Sequence, residues 1–169
     1  MKRKKFRISR KLKNTFLIII ATIILTGVLR NVYFKPEYVI KPAPYTEKYT
    51  ALYQYIHDGD TAVFFLENGE KVICRFLAVD TPEIEEEGYE EAKRYTDRVL
   101  SNARQIIIEL DPYSEKYDKY DRLLAWVWVD GELLQAKLLE NNYATLRYLY
   151  HDYLYLDYLE SIKPSVTSE

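Results

Sequence analysis

TAVFFLENGEKVICRFLAVDTPE, residues Thr61–Glu83, decides how this chain folds. Thr61–Glu67 and Lys71–Ala78 are both rich in β-branched and aromatic residues. Asn68-Gly69 between them is a strong two-residue hairpin signal. The hairpin carries a polar intrusion. Arg75 interrupts the otherwise apolar run VICRFLAV, and Asp80-Thr81-Pro82-Glu83 follows at its end. His57-Asp58-Gly59-Asp60 stands just before the first strand. A sheet that should bury valine and phenylalanine thus has carboxylates and an arginine at its ends.

Outward from the hairpin, Thr50–His57 alternates and is aromatic-rich, which predicts another strand. Glu90–Arg104 has helical periodicity, with Ala92, Tyr95, Val99 and Ala103 on one face. Gln105–Leu110 reads as a short buried strand, Asp111–Asp121 as a polar, tyrosine-rich loop, and Arg122–Val129 as a fifth strand. Glu132–Glu140 reads as a second helix, with Leu134 and Leu138 inward, and Asp152–Ile162 as a third. Five short strands with a helix between the third and fourth is the order of an OB-fold barrel. The expected class is α+β, mainly β: a five-stranded OB-fold barrel with about three helices over residues 49–163, then a tail, 164–169.

The chain has 169 residues, room for that domain and something more. Lys2–Lys13 holds eight basic residues and no acid, and residues 1–14 read as a basic cytoplasmic N-terminus. Thr15–Leu29 carries no charge. Extended to Phe34, it makes ~30 Å of helix, enough to cross a bilayer. Residues 15–34 are therefore expected to form one transmembrane helix or a secretory signal. Basic residues ahead of it predict a cytoplasmic N-terminus and an exported remainder. The expected location is the cell membrane, single-pass, with the folded domain outside, or secretion if the segment is cleaved. Residues 35–48, with three prolines, read as an extended linker. No obligate protein partner is evident.

Residues 31–169 carry 15 basic and 26 acidic side chains, a net charge of −11. Such a domain has no overall electrostatic pull on nucleic acid, so a polyanion must be held by a local basic site. Cys74 is the single cysteine, which excludes an internal disulfide.

Asp60 begins one strand and Asp80 follows another, and strand ends on one rim of a small barrel can converge. Two carboxylates with a backbone carbonyl and waters make a hard-oxygen site suited to Ca²⁺, of weak affinity, ~10⁻⁴–10⁻³ M. The bland reading is that Asp58-Gly59-Asp60 is a turn and Asp80 a loop cap. Arg75 is either paired with a carboxylate, turned to solvent, or a fork for a phosphate. Pro82 fixes the turn that aims Glu83 at the same rim, where a carboxylate beside a metal-held water is a candidate general base. Arg122 could place a second cation over a phosphate or a leaving oxygen, or simply pair with Asp118 or Asp121.

DGDT, FLAVDTPE preceded by Arg75, DKYDRLLAWVWVDG and ATLRYLY, in this order and spacing, resemble thermonuclease, the staphylococcal-nuclease-like family, over about Thr50–Tyr158. The resemblance implies an OB-fold, Ca²⁺-dependent phosphodiesterase acting on DNA, RNA or both and leaving 3′-phosphates. It implies that Asp60, Asp80 and the Thr81 carbonyl bind Ca²⁺, with Asp58 behind them. Glu83 would orient or deprotonate the attacking water, and Arg75 and Arg122 would hold the scissile phosphate. Lys119 and Tyr120 would bind a terminal phosphate. Tyr148 and Tyr150 would pack against base and sugar.

The sequence departs from the family pattern in three places. The loop after Glu83 is short and acidic, IEEEG. The family's Lys-Tyr-Gly-Arg reads Lys119-Tyr120-Asp121-Arg122. The last helix is brief and lacks the following tryptophan. The acidic surface favours short or single-stranded substrates, on which tyrosine stacking carries more of the binding. Rival readings are a catalytically silent OB-fold module that binds nucleic acid or protein, and a surface protein using its acidic, tyrosine-rich face.

Overall fold

The computed structural model describes residues 40–149 and 152–162. The basic N-terminus, the apolar span, the first part of the linker and the tail lie outside the described residues, as does Tyr150. No helix among the described residues is long and apolar enough to cross a membrane.

The strands are β1 (Lys48–Asp58), β2 (Thr61–Leu66), β3 (Lys71–Phe76), β4 (Val79–Asp80), β5 (Ile106–Glu109), β6 (Leu123–Val129), β7 (Glu132–Leu133) and β8 (Thr145–Leu146). The helices are α1 (Tyr89–Ser101), α2 (Leu134–Glu140) and α3 (Leu156–Ser161). The sheet runs β3-β2-β1-β5-β6-β7 and closes through a parallel β3–β6 pairing. Five main strands thus form a barrel of the expected OB-like kind, with three helices around it.

Closure depends on β1. It pairs with β5 through Lys48–Thr50 and with β2 through Ala51–Asp58. Register shifts between Tyr53 and Tyr55 and between Ile56 and Asp58 let one strand serve both walls. The β2–β3 hairpin turns at Asn68-Gly69 as its dipeptide predicts, with Gly69 at φ 87°.

Inside lie Phe64, Phe76, Ile108, Leu123, Trp126 and Trp128, each at most 1% exposed. Leu134 and Leu138 of α2 close one end as their spacing predicts. Between them Gln135 is also fully buried. Its Nε2 donates to the Ala125 carbonyl at 3.0 Å and its Oε1 accepts from the Val127 amide at 3.2 Å, so its buried amide is paired with the β6 backbone.

Four expectations need correction. β3 ends at Phe76 rather than Ala78, because Ala78 takes a left-handed conformation (φ 62°) that ends the strand. Val79–Asp80 then pairs separately with Thr145–Leu146. The buried face of α1 centres on Ala92, Thr96 and Leu100, with Tyr95 and Val99 flanking. A buried threonine belongs there because its hydroxyl donates to the Gly59 carbonyl at 2.7 Å.

The domain also begins before Tyr49: Ala43 donates to Glu109 Oε1 at 2.8 Å, and the Leu110 amide donates to the Glu47 carbonyl at 2.9 Å. Finally, the third helix covers only Leu156–Ser161. Tyr153, Tyr155 and Leu159 nevertheless seal the barrel. The rings of Tyr153 and Tyr155 meet Trp126 edge-to-face at 6.2 and 5.3 Å, and Tyr155 meets Trp128 at 5.2 Å.

Candidate active site

The site begins with a turn. The β1–β2 connection, Gly59, lies so close to Thr81 that a Cβ there would sit 2.7 Å from the threonine hydroxyl. Only glycine lets the Asp58-Gly59-Asp60 backbone approach the Asp80-Thr81 backbone this closely. The contact brings two strand ends together and, with them, their carboxylates.

Asp60 is 5% exposed. Its Oδ2 accepts from the Thr81 amide at 3.0 Å and the Thr81 hydroxyl at 3.3 Å, and its Oδ1 from the Thr61 hydroxyl at 3.0 Å. Arg75, 8% exposed, reaches both acids with one nitrogen: Nη2 lies 3.1 Å from Asp60 Oδ2 and 3.0 Å from Asp80 Oδ1. Its Nη1 donates to the carbonyls of Phe76 at 2.8 Å and Val79 at 2.7 Å. The arginine is therefore paired inward and fixed at both ends of its fork. The solvent-facing alternative is excluded.

Burial pushes the Asp60 carboxyl well above the usual carboxylate range, even though Arg75 opposes the shift. Burial wins because one guanidinium serves two carboxylates and Asp58 adds further negative charge.

Arg122 joins the cleft from just ahead of β6. Its Nε donates to Asp118 Oδ2 at 2.7 Å, and Nη2 lies 2.6 Å from the same oxygen. The amides of Tyr120 and Arg122 donate to Asp118 Oδ1 at 2.9 and 3.0 Å. Burial raises the Asp118 carboxyl, but the bonds from Arg122 and Tyr120 outweigh it and hold it below its ordinary range. The simple pairing anticipated for Arg122 is present, and Arg122 still lines the cleft.

That cleft has a volume of about 720 Å³, within the usual range for a ligand site. Its walls include Asp58, Asp60, Arg75, Asp80, Glu83 and Arg122, together with Lys119, Tyr120 and Tyr148. Every candidate residue among those described is brought there, except that Thr81 acts from behind, through Asp60. Glu83 is exposed, with its amide anchored on Glu86 Oε2 at 2.8 Å.

Two tyrosines flank the cations. The Tyr120 ring, 66% exposed, lies 5.4 Å from the Arg122 guanidinium and 4.9 Å from Lys119 Nζ. The Tyr148 ring lies 5.6 Å from the Arg75 guanidinium. Tyr148 holds a φ of 60°, rare for an aromatic residue and a form of strain that collects at functional sites.

The chain matches the family model of the staphylococcal nuclease homologues over residues 73–163. It belongs to that family. It is 38% identical to endonuclease YncB of Bacillus subtilis over 98 residues, 55% of this chain and 46% of that protein. It is 33% identical to the SPbeta prophage-derived endonuclease YokF of the same organism over 118 residues, 66% of this chain and 39% of that one. The thermonuclease of Staphylococcus hyicus is 28% identical over 160 residues, 89% of this chain and 90% of its own length. The chain thus spans less than half the length of the two Bacillus relatives.

Two residues at this cleft escaped the sequence reading. Thr96 pins Gly59 from beneath, and Arg147 stands 3.6 Å from Asp80 Oδ2. Arg147 had a signal: it lies inside ATLRYLY, beside Tyr148. Thr96 had none, since its partner is 37 residues away.

The donor set fits a hard divalent cation. Asp60 and Asp80 already converge on a single cationic nitrogen, and a buried carboxylate pushed towards its neutral form marks a local deficit of positive charge. Among the described residues no three acid, histidine or cysteine side chains cluster at metal-binding spacing. Two carboxylates suit a weakly held ion better than a permanent structural one.

Proposed function

We propose that the chain hydrolyses phosphodiester bonds of DNA, RNA or both, using Ca²⁺, on the outer side of a membrane to which its N-terminal segment anchors it. The observation that carries this reading is the joining of Asp60 and Asp80 through Arg75 in a cleft that also holds Glu83 and Arg122. Ca²⁺ held by Asp60, Asp80 and the Thr81 carbonyl would add positive charge beside the phosphate and help to orient water. Glu83, exposed to solvent, takes a proton from the attacking water as its oxygen bonds to phosphorus. Arg75 and Arg122 grip the non-bridging oxygens from two sides as charge spreads over them. The bond from phosphorus to the 5′ oxygen breaks, that oxygen takes a proton from solvent, and a 3′-phosphate remains. Tyr148 and Tyr120 offer ring faces to neighbouring bases, which suits single-stranded or short substrates.

One observation favours the silent binding module instead: both arginines are already engaged by carboxylates, Arg75 by Asp60 and Asp80, Arg122 by Asp118. The full chain in mild detergent, incubated with single-stranded DNA and RNA in millimolar Ca²⁺, separates the two. The nuclease reading expects cleavage that stops with a chelator and falls ~10²–10⁴-fold in Glu83→Gln. Binding without cleavage by the folded wild type would overturn it.

A further inference from the structure

Arg147 is held in place by its backbone. Leu146 pairs with Val79 and Thr145 with Asp80 in the short β4–β8 ribbon. The Arg147 amide then donates to the Ala78 carbonyl at 3.1 Å, which sets this residue beside the metal-site candidate Asp80.

Its side chain shares the Tyr148 ring with Arg75. The Tyr148 ring has the Arg75 guanidinium at 5.6 Å and the Arg147 guanidinium at 5.9 Å, both within cation–π range. The Asp80 carboxylate also lies between the two arginines, with Oδ1 3.0 Å from Arg75 and Oδ2 3.6 Å from Arg147. The two contacts differ in kind. Arg75 is buried and hydrogen-bonded, whereas Arg147 has a side chain 63% exposed and approaches Asp80 at a distance too long for a hydrogen bond. An exposed pair of this sort adds little stability. A guanidinium offers five donors in a planar fork, and that loose contact does not satisfy them.

The surrounding charge gives the position its weight. Glu83, Glu85, Glu86 and Glu87 make the neighbouring loop acidic, and the two inner arginines are tied to carboxylates. A polyanion leaving the cleft past Tyr148 meets one exposed, loosely held cation there.

We infer that Arg147 binds the phosphate one nucleotide beyond the scissile one, on the Tyr148 side, so that the site grips a single strand running past the point of cleavage. This rests on the hydrolytic reading above and deepens it: the substrate is an oligonucleotide rather than a lone phosphodiester, and Arg147 sets that preference. Tyr148 holds the intervening base while the two guanidinia near its ring hold successive phosphates.

Two measurements on the full chain test this. The first is binding of a fluorescent ten-nucleotide oligothymidylate, with chelator present, across a salt series. Arg147→Ala should reduce the magnitude of the log K against log salt slope by about 0.7, one phosphate contact on a single strand. Arg147→Lys should restore it. The second is cleavage in Ca²⁺ of the same oligomer and of a dinucleotide with one phosphodiester. Arg147→Ala should raise KM for the oligomer ~5–10-fold at unchanged kcat and leave the dinucleotide alone.

An unchanged slope and KM would overturn the inference. So would an equal loss of kcat on both substrates, which would make Arg147 a positioning group for Asp80. If the wild type cleaves neither substrate while Arg147→Ala still lowers the salt slope, hydrolysis falls and the phosphate contact stands.

Discussion

Two pairs of carboxylates lie in this domain, and they are satisfied in opposite ways. Asp60 and Asp80 share one arginine nitrogen at the rim. Glu109 and Asp111 lie at the other end of the barrel wall, 0% and 4% exposed, and are held mainly by neutral donors. Glu109 Oε2 accepts from Trp128 Nε1 at 2.7 Å and the Tyr155 hydroxyl at 2.9 Å, and Oε1 from the Ala43 amide and the Thr46 hydroxyl. Asp111 Oδ2 accepts from Trp126 Nε1 at 2.8 Å and the Leu154 amide at 2.9 Å. These bonds tie the segment before β1 and the segment around α3 to β5. Many directed neutral donors lock a carboxylate in one geometry. The rim acids share the Arg75 guanidinium, with the exposed Arg147 only loosely on Asp80, and burial still raises the Asp60 carboxyl, which leaves the pair open to a further cation. The first arrangement builds structure, and the second suits chemistry.

The contrast breaks most visibly in a pair of substitutions. Glu83→Gln at the rim should lose activity by the orders of magnitude given above, while its unfolding free energy stays within ~0.5 kcal/mol of wild type, as for other exposed positions. Glu109→Ala should do the reverse. It strands the buried Trp128 indole and removes the acceptor that the Tyr155 hydroxyl, the Ala43 amide and the Thr46 hydroxyl share. It should cost about 3–5 kcal/mol in urea unfolding, and the melting temperature should fall by ~10 °C or more. Below the new melting point, kcat should remain near wild type. A Glu109→Ala protein as stable as wild type would remove the structural half of the comparison.

Cation binding sharpens it at intermediate size. With a dissociation constant of ~10⁻⁴–10⁻³ M, 10 mM Ca²⁺ should stabilise the fold by ~1.4–2.7 kcal/mol. A chelator should reverse the rise in melting temperature, and Asp80→Asn should abolish it. If the rise survives in Asp80→Asn, the ion binds elsewhere and the rim pair is only a salt bridge.

What the sequence showed follows the same division. The rim was legible because its residues sit next to strand ends and turn signals: Asp60 directly precedes β2, Asp80 ends β4, and Arg75 stands out in an apolar run. The barrel was legible from strand count and the Asn68-Gly69 turn. The second carboxylate pair was not. Glu109 ended a strand and Asp111 opened a loop, and nothing local showed that their partners lie 66 and 43 residues away. The same holds for the brief C-terminal helix. The sequence lacks the family's last tryptophan, but Tyr153 and Tyr155 fill that end through contacts that only folding creates. The face of α1 was misplaced by one step because a threonine at its centre reads as polar until its bond to Gly59 is seen.

The smallest effect concerns Asp121, where the family pattern has glycine. The structure keeps the turn, with Asp121 at φ 65° and its amide donating to the Asp118 carbonyl at 3.0 Å. A left-handed conformation costs an ordinary L-residue ~1–2 kcal/mol, and aspartate sits at the tolerant end of that range. Asp121→Gly removes the strain but loosens the unfolded chain, an opposing effect of ~0.4–1 kcal/mol. The net gain in stability should therefore be at most ~1 kcal/mol. Its electrostatic consequence is separate and has a definite sign. Removing a carboxylate one residue from Arg122 raises the local positive potential, so oligonucleotide binding should tighten by a few-fold at low salt and converge with wild type as salt screens the charge. Tighter binding that persists at high salt would mean that Asp121 shapes the turn rather than its field, and Arg122 would then differ from Arg75 in geometry as well as in exposure.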